Sequence, residues 1–155
     1  MILFITTLLI LILGALCVYD FMEFRLPDTL NICLAALGIF QSLYLDSSNF
    51  FDSILGSFLA GGSLYIVREA YYWYRGTQGL GLGDVKLAAA GGLWVEWQGV
   101  GLVILTASIT AIIAVLAYYR SFDEQSFRSP FPFGPFLACG IFSTWTYQVW
   151  TFYVA

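Results

Sequence analysis

Long apolar runs separated by short polar interruptions organise this chain from end to end. They cover roughly residues 2–20, 29–45, 50–68, 84–97, 99–119 and 134–154, six segments in all. A helix needs about 20 predominantly apolar residues to cross a bilayer, and five of the six come close to that length. The fourth is short. At about 1.5 Å per residue it reaches roughly 21 Å, against about 30 Å of hydrocarbon. Such a helix must tilt, start below the interface or sit behind its neighbours. The expected architecture is all-α: a single domain over residues 1–155, a polytopic membrane protein built as a bundle of six transmembrane helices.

The placement of charge sharpens that picture. With six spans, the first, third and fifth loops share one side of the membrane. The basic residues Arg25, Arg68, Arg75, Lys86, Arg120 and Arg128 all fall in or beside those three loops, and the opposite side holds none. Under the positive-inside rule both termini lie outside and the three loops lie in the cytoplasm. A wrong span count would have scattered the charges. On the outer side Asp46, Asp52 and Glu96 are readily solvated, and Trp94 and Trp97 are read as interfacial anchors.

Composition agrees. Of the 155 residues 60% are hydrophobic, 19% aromatic and only 10% charged, where a soluble domain carries about a quarter charged residues. So few charges would not cover a water-facing surface. No basic run points to nucleic acid, and the absence of histidine excludes imidazole-based zinc sites and imidazole catalysis. Cys17, Cys33 and Cys139 sit inside apolar runs without metal-ligand spacing and are read as small buried hydrophobes. Residues 2–19 could pass for a signal-peptide core, but the first basic residue, Arg25, follows that stretch instead of preceding it. Leu16 is also a poor residue to precede a lipoprotein-type cleavage at Cys17, so the segment is expected to be a permanent helix.

Ionisable residues at membrane depth are costly and ask for a reason. Asp20 closes the first apolar run, and Asp84 opens the fourth within Gly79-Leu80-Gly81-Leu82-Gly83-Asp84-Val85-Lys86. The charge argument puts both on the cytoplasmic side at matching depth. Gly79, Gly81 and Gly83 permit strained backbone and close approach, so this stretch can dip into the membrane and present Asp84 below the interface. Irregular backbone survives there only when protein or a wet cavity covers it. Two carboxyls a few ångströms apart in a poorly solvated site share one proton. The ionised one can then draw a proton from water attacking a carbonyl, and the protonated one can donate to the carbonyl oxygen. Either residue alone also fits a helix cap or an interfacial charge.

Three stretches carry a family likeness: Tyr19-Asp20 with Arg25-Leu26-Pro27-Asp28-Thr29-Leu30-Asn31, then Gly79 to Gly92, then Pro130-Phe131-Pro132-Phe133-Gly134-Pro135-Phe136-Leu137-Ala138. Together they resemble the type IV prepilin peptidases, the bacterial leader peptidases of pilus and type II secretion systems. The resemblance implies that Asp20 and Asp84 are the catalytic pair, without cofactor or metal. It also implies that prepilins or pseudopilins lose a short basic leader at the cytoplasmic face of the bacterial inner membrane. Full-length members carry a cytoplasmic insertion, often with two Cys-x-x-Cys pairs, associated with N-methylation of the new terminus. No such pairs occur here, so the likeness is to peptidase-only members, and no methyltransferase activity is expected.

Around the pair, Gly81 and Gly83 are expected to shape the site. Glu23, Asp28, Asp123 and Glu124 are the candidate contacts for a basic leader. Lys86 either tunes Asp84 or is an interfacial charge, and Pro27 suits the first turn of the second helix. The Gly134-Pro135 stretch is either the entry to the last helix or an irregular segment that pairs with extended substrate backbone. Presenilin-type proteases share the Gly-x-Gly-Asp pattern but carry a Pro-Ala-Leu motif not found here. A rival reading of another class is a small transporter or assembly factor in which Asp20 and Asp84 bind protons or a cation. Such a pathway would want polar residues through the bilayer midplane, whereas these carboxylates cluster near one face.

Overall fold

The computed structural model describes residues 2–44, 50–121 and 132–154. Asp46, Asp123, Glu124, Arg128, Pro130 and Phe131, which enter the readings above, lie outside the described residues, as does the side chain of Arg120. Five helices account for nearly all of it: α1 (Ile2–Glu23), α2 (Asp28–Tyr44), α3 (Phe50–Arg75), α4 (Leu82–Ser121) and α5 (Gly134–Val154). Three of them contain spans long and apolar enough to cross a membrane by length and composition: Leu3–Glu23, Phe50–Arg75 and Leu82–Ala117.

The fourth and fifth apolar segments, expected as separate helices, join in α4. Its two parts, 82–95 and 97–121, meet at Glu96, where φ 54° and ψ 178° break the helix without a loop. A break frees carbonyls that would have accepted intrahelical bonds. One of them, on Val95, accepts a 2.9 Å bond from Nε2 of Gln148 on α5. The polar interruption at 96–98 is therefore a bend, placed where α3 presses closest.

α4 is the centre of the bundle, with α2, α3 and α5 packed around it and α1 resting chiefly on α2 and α5. Small residues make this possible. α3 buries Ser53, Gly56, Ala60, Gly61 and Leu64 on one face. A Cβ on Gly56 would run into the carbonyl of Gly92 and lie 2.8 Å from the backbone nitrogen of Trp97, so the two helices touch backbone to backbone. Without a hydrophobic driving force between helices in lipid, such close approach is what holds them. α1 contributes a buried stripe of Ile5, Leu9, Leu13 and Leu16, spaced three or four apart as one helix face requires.

Two indoles pin the interior. Trp94 is buried, its Nε1 donates to the Leu34 carbonyl of α2 at 2.9 Å, and its ring meets Trp145 edge-on at 5.9 Å. Trp145 donates in turn to Oε1 of Gln41 at 3.1 Å. This corrects the reading of Trp94 as an interfacial anchor: an indole N–H needs a partner when buried, and α2 supplies one. Arg68 is corrected too. α3 runs seven residues beyond the expected end at 68, so Arg68 lies within the helix, buried and paired with Glu69, rather than beside a loop. Cys33 and Cys139 are exposed rather than buried, and Cys17 is half-buried. The outer surface is apolar, with Leu3, Leu11, Phe58, Ile66, Ile112 and Leu116 all exposed. Soluble proteins rarely show apolar patches of that extent.

Candidate active site

Asp20 continues the buried stripe of α1, four residues after Leu16, and so points into the bundle with 5% of its surface exposed. Its Oδ2 accepts a 2.9 Å bond from the backbone N–H of Gly134. Gly134 is the first residue of α5, and the carbonyl of Phe133 already accepts from Phe136 and Leu137 in the first turn. The Gly134 N–H is thus one of the donors a helix N-terminus leaves unpaired. Asp20 satisfies it from another helix, at the positive end of the α5 dipole. Pro135 sits in that first turn, where a missing N–H costs nothing.

Asp84 stands at the start of α4, two residues after Leu82. Its carboxylate reaches back to the backbone N–H of Gly81, the return bond of a capping box. It is buried as well, and its Oδ1 has no hydrogen-bond partner among the described residues. The two aspartates are close enough to interact electrostatically. Each sits against the N-terminus of a different helix.

Both open onto one cavity of about 320 Å³. Its walls come from Asp20 and Phe24 on one side and from Arg25, Leu26 and Asp28 across the α1–α2 turn. Gly81 to Asp84 and Lys86 close it. Leu26 packs directly on Gly83, where a Cβ would lie 3.0 Å from the leucine Cβ. Lys86 Nζ bonds Oδ1 of Asp28 at 2.6 Å, with both side chains at least half exposed. Among the described residues no group of three His, Cys, Asp or Glu side chains gathers to hold a metal ion.

Of the residues expected at the site, Asp20, Asp84, Gly81, Gly83, Lys86 and Asp28 line the cavity, and Gly134 touches it through Asp20. Glu23 is exposed at the end of α1 and does not line it. Asp28 is engaged by Lys86 rather than standing free. Phe24, Arg25, Leu26 and Leu82 also line the cavity and were missed, although each lies within four residues of an aspartate singled out in the sequence.

Comparison with known proteins adds a second line. Residues 7–116 match the type IV leader peptidase family. A prepilin leader peptidase/N-methyltransferase of Pectobacterium carotovorum is 31% identical over 133 residues, covering 86% of this chain and 47% of the relative. One from Aeromonas hydrophila is 35% identical over 136 residues, covering 84% and 45%. The leader peptidase HopD of Escherichia coli is 32% identical over 117 residues, covering 76% of each chain. The chain thus spans less than half the length of the first two relatives. No solved structure matches it.

Proposed function

The chain belongs to the type IV leader peptidase family, and from that premise we propose that it is an intramembrane aspartic endopeptidase acting on prepilins or pseudopilins, with Asp20 and Asp84 as its dyad. The observation that supports this best is the shared cavity. Two buried carboxylates, 64 residues apart in sequence and carried by different helices, line one cavity. Of the two activities in the relatives' names, the dyad serves the peptidase one.

In this reading one carboxyl holds the single shared proton and the other is ionised. Water attacks the scissile carbonyl carbon and gives a proton to the ionised carboxylate, while the protonated partner donates to the carbonyl oxygen. Collapse of the tetrahedral intermediate returns a proton to the departing amine, leaving a new carboxyl terminus on the leader and a new amine on the mature protein. The Gly134 and Gly81 N–H groups hold the two carboxylates in position before substrate arrives, which spares reorganisation during reaction. The chain crosses the bacterial inner membrane six times, counting the two parts of α4 separately. Both termini lie on the periplasmic side and the cavity lies towards the cytoplasm, where a basic leader would meet it.

The test is co-expression with a prepilin or pseudopilin, comparing wild type with Asp20→Ala and Asp84→Ala. Leader cleavage by the wild type and its loss, by about a hundredfold or more, in both variants at unchanged membrane level is the expected result. Cleavage persisting in both variants, but absent from the empty host, would remove the dyad. Intact substrate with the wild type would remove the peptidase reading.

A further inference from the structure

Phe24 is the first residue past α1, and its backbone is left-handed, with φ 51°. Its N–H still donates to the Asp20 carbonyl at 3.1 Å. That is the position beyond a helix C-terminus where glycine is the usual choice, because a Cβ there crowds the neighbouring carbonyl. α3 shows the relaxed solution within the same chain. Gly76 follows its last residue with φ 68° and donates to the Tyr72 carbonyl at 2.8 Å. α1 makes the same cap with a bulky aromatic residue.

Packing does not explain the ring, since Phe24 is 49% exposed and stands outside the buried core. Its location does. Phe24 lines the cavity, four residues after Asp20 and just beyond the end of α1. Leu26 and Leu82 are the other apolar side chains of the lining, while Arg25, Asp28 and Lys86 are charged. Backbone strain that the fold does not need tends to collect where a side chain has work at a site.

We propose that Phe24 is a specificity-determining residue whose ring forms the wall against which an apolar substrate side chain flanking the scissile bond packs. This rests on the peptidase reading above. The ring orders the extended substrate next to Asp20 and favours apolar over small flanking residues, and the left-handed cap aims it into the cavity.

The test uses the purified full chain in detergent as wild type, Phe24→Leu and Phe24→Gly. Substrates are a prepilin and its variants with Ala, Leu or Phe at each of the two positions flanking the scissile bond, with thermal melts run alongside. Phe24→Gly relieves the strained cap, so its melting temperature holds or rises. Its KM nevertheless rises about tenfold or more for substrates with a bulky flanking side chain, while the Ala variants change little. Phe24→Leu, which keeps an apolar wall, stays near the wild type. Equal cleavage of every substrate by wild type and Phe24→Gly overturns the assignment. So does a uniform loss across substrates accompanied by a lower melting temperature, which would make Phe24 a structural cap only. A wild type that cleaves none of the substrates overturns the peptidase reading, and this role with it.

Discussion

A side chain at residue 134 would collide with the residue it serves: a Cβ there lies 2.7 Å from Oδ2 of Asp20. The Gly134 N–H and the carboxylate meet so closely that a side chain at 134 would force the Asp20 carboxylate to move. Gly134→Ala is therefore expected to push Asp20 off its position, cutting prepilin cleavage by about a hundredfold, the scale of a 1 Å misplacement. Its melting temperature should stay within a few degrees of the wild type, because the cavity side can yield. Cleavage assays and melts on the same preparation decide it, and wild-type cleavage would mean the N–H contact does not matter. Asp20 and Asp84 could be read from sequence, because carboxylates closing and opening apolar runs are conspicuous. The bond from Gly134 could not, since it joins positions 114 apart in the chain. Phe24 was hidden for another reason: nothing in its residue type signals a left-handed backbone. Arg68 misled because counting charges along the chain treats every basic residue near a span end as interfacial, and here α3 simply continues past it.

Between helices, the seam of α3 with α4 is the most constrained contact in the molecule. Gly56 and Gly92 face each other across it, and a Cβ on Gly92 would lie 2.8 Å from Cα of Ser57 as well as meeting the Gly56 carbonyl. Neither helix can retreat cheaply, because the obstacle on each side is backbone. Gly92→Leu is expected to separate the helices and lower the unfolding free energy by at least about 1–3 kcal/mol, the usual cost of overpacking. The variant should melt earlier in detergent, whereas Gly62→Leu on the open side of α3, where a Cβ meets nothing, should not. Equal melting of the two variants would refute the seam. The glycines themselves are plain in the sequence. Which of them face a partner depends on how the two helices cross, and no pattern along the chain gives that. The bend keeps the chain helical on both sides, and where a loop was expected Gln148 instead bonds the buried Val95 carbonyl that the break frees.

Across the whole molecule, the apolar exterior and the grouping of basic residues into three stretches of the chain, at 25, 68–86 and 120–128, are the features that sequence conveys best, because neither depends on contacts. The proposed orientation follows from them, and reporters fused to either end of the chain should both read as periplasmic, while one inserted after Arg75 should read as cytoplasmic. Terminal reporters on opposite sides would refute an even number of crossings. The arrangement of helices is different in kind. α1 brings Asp20, α4 brings Asp84, and α5 supplies the Gly134 N–H that holds the first of them. The chain is made from its N-terminus, and so that hydrogen bond has a place in time as well as in space. Asp20 and Asp84 are both synthesised well before the donor at 134 exists. While translation proceeds, α1 to α4 exist before the N–H that holds Asp20. In the proposed peptidase, the N–H that fixes the Asp20 carboxylate is thus the last part of the site to be made.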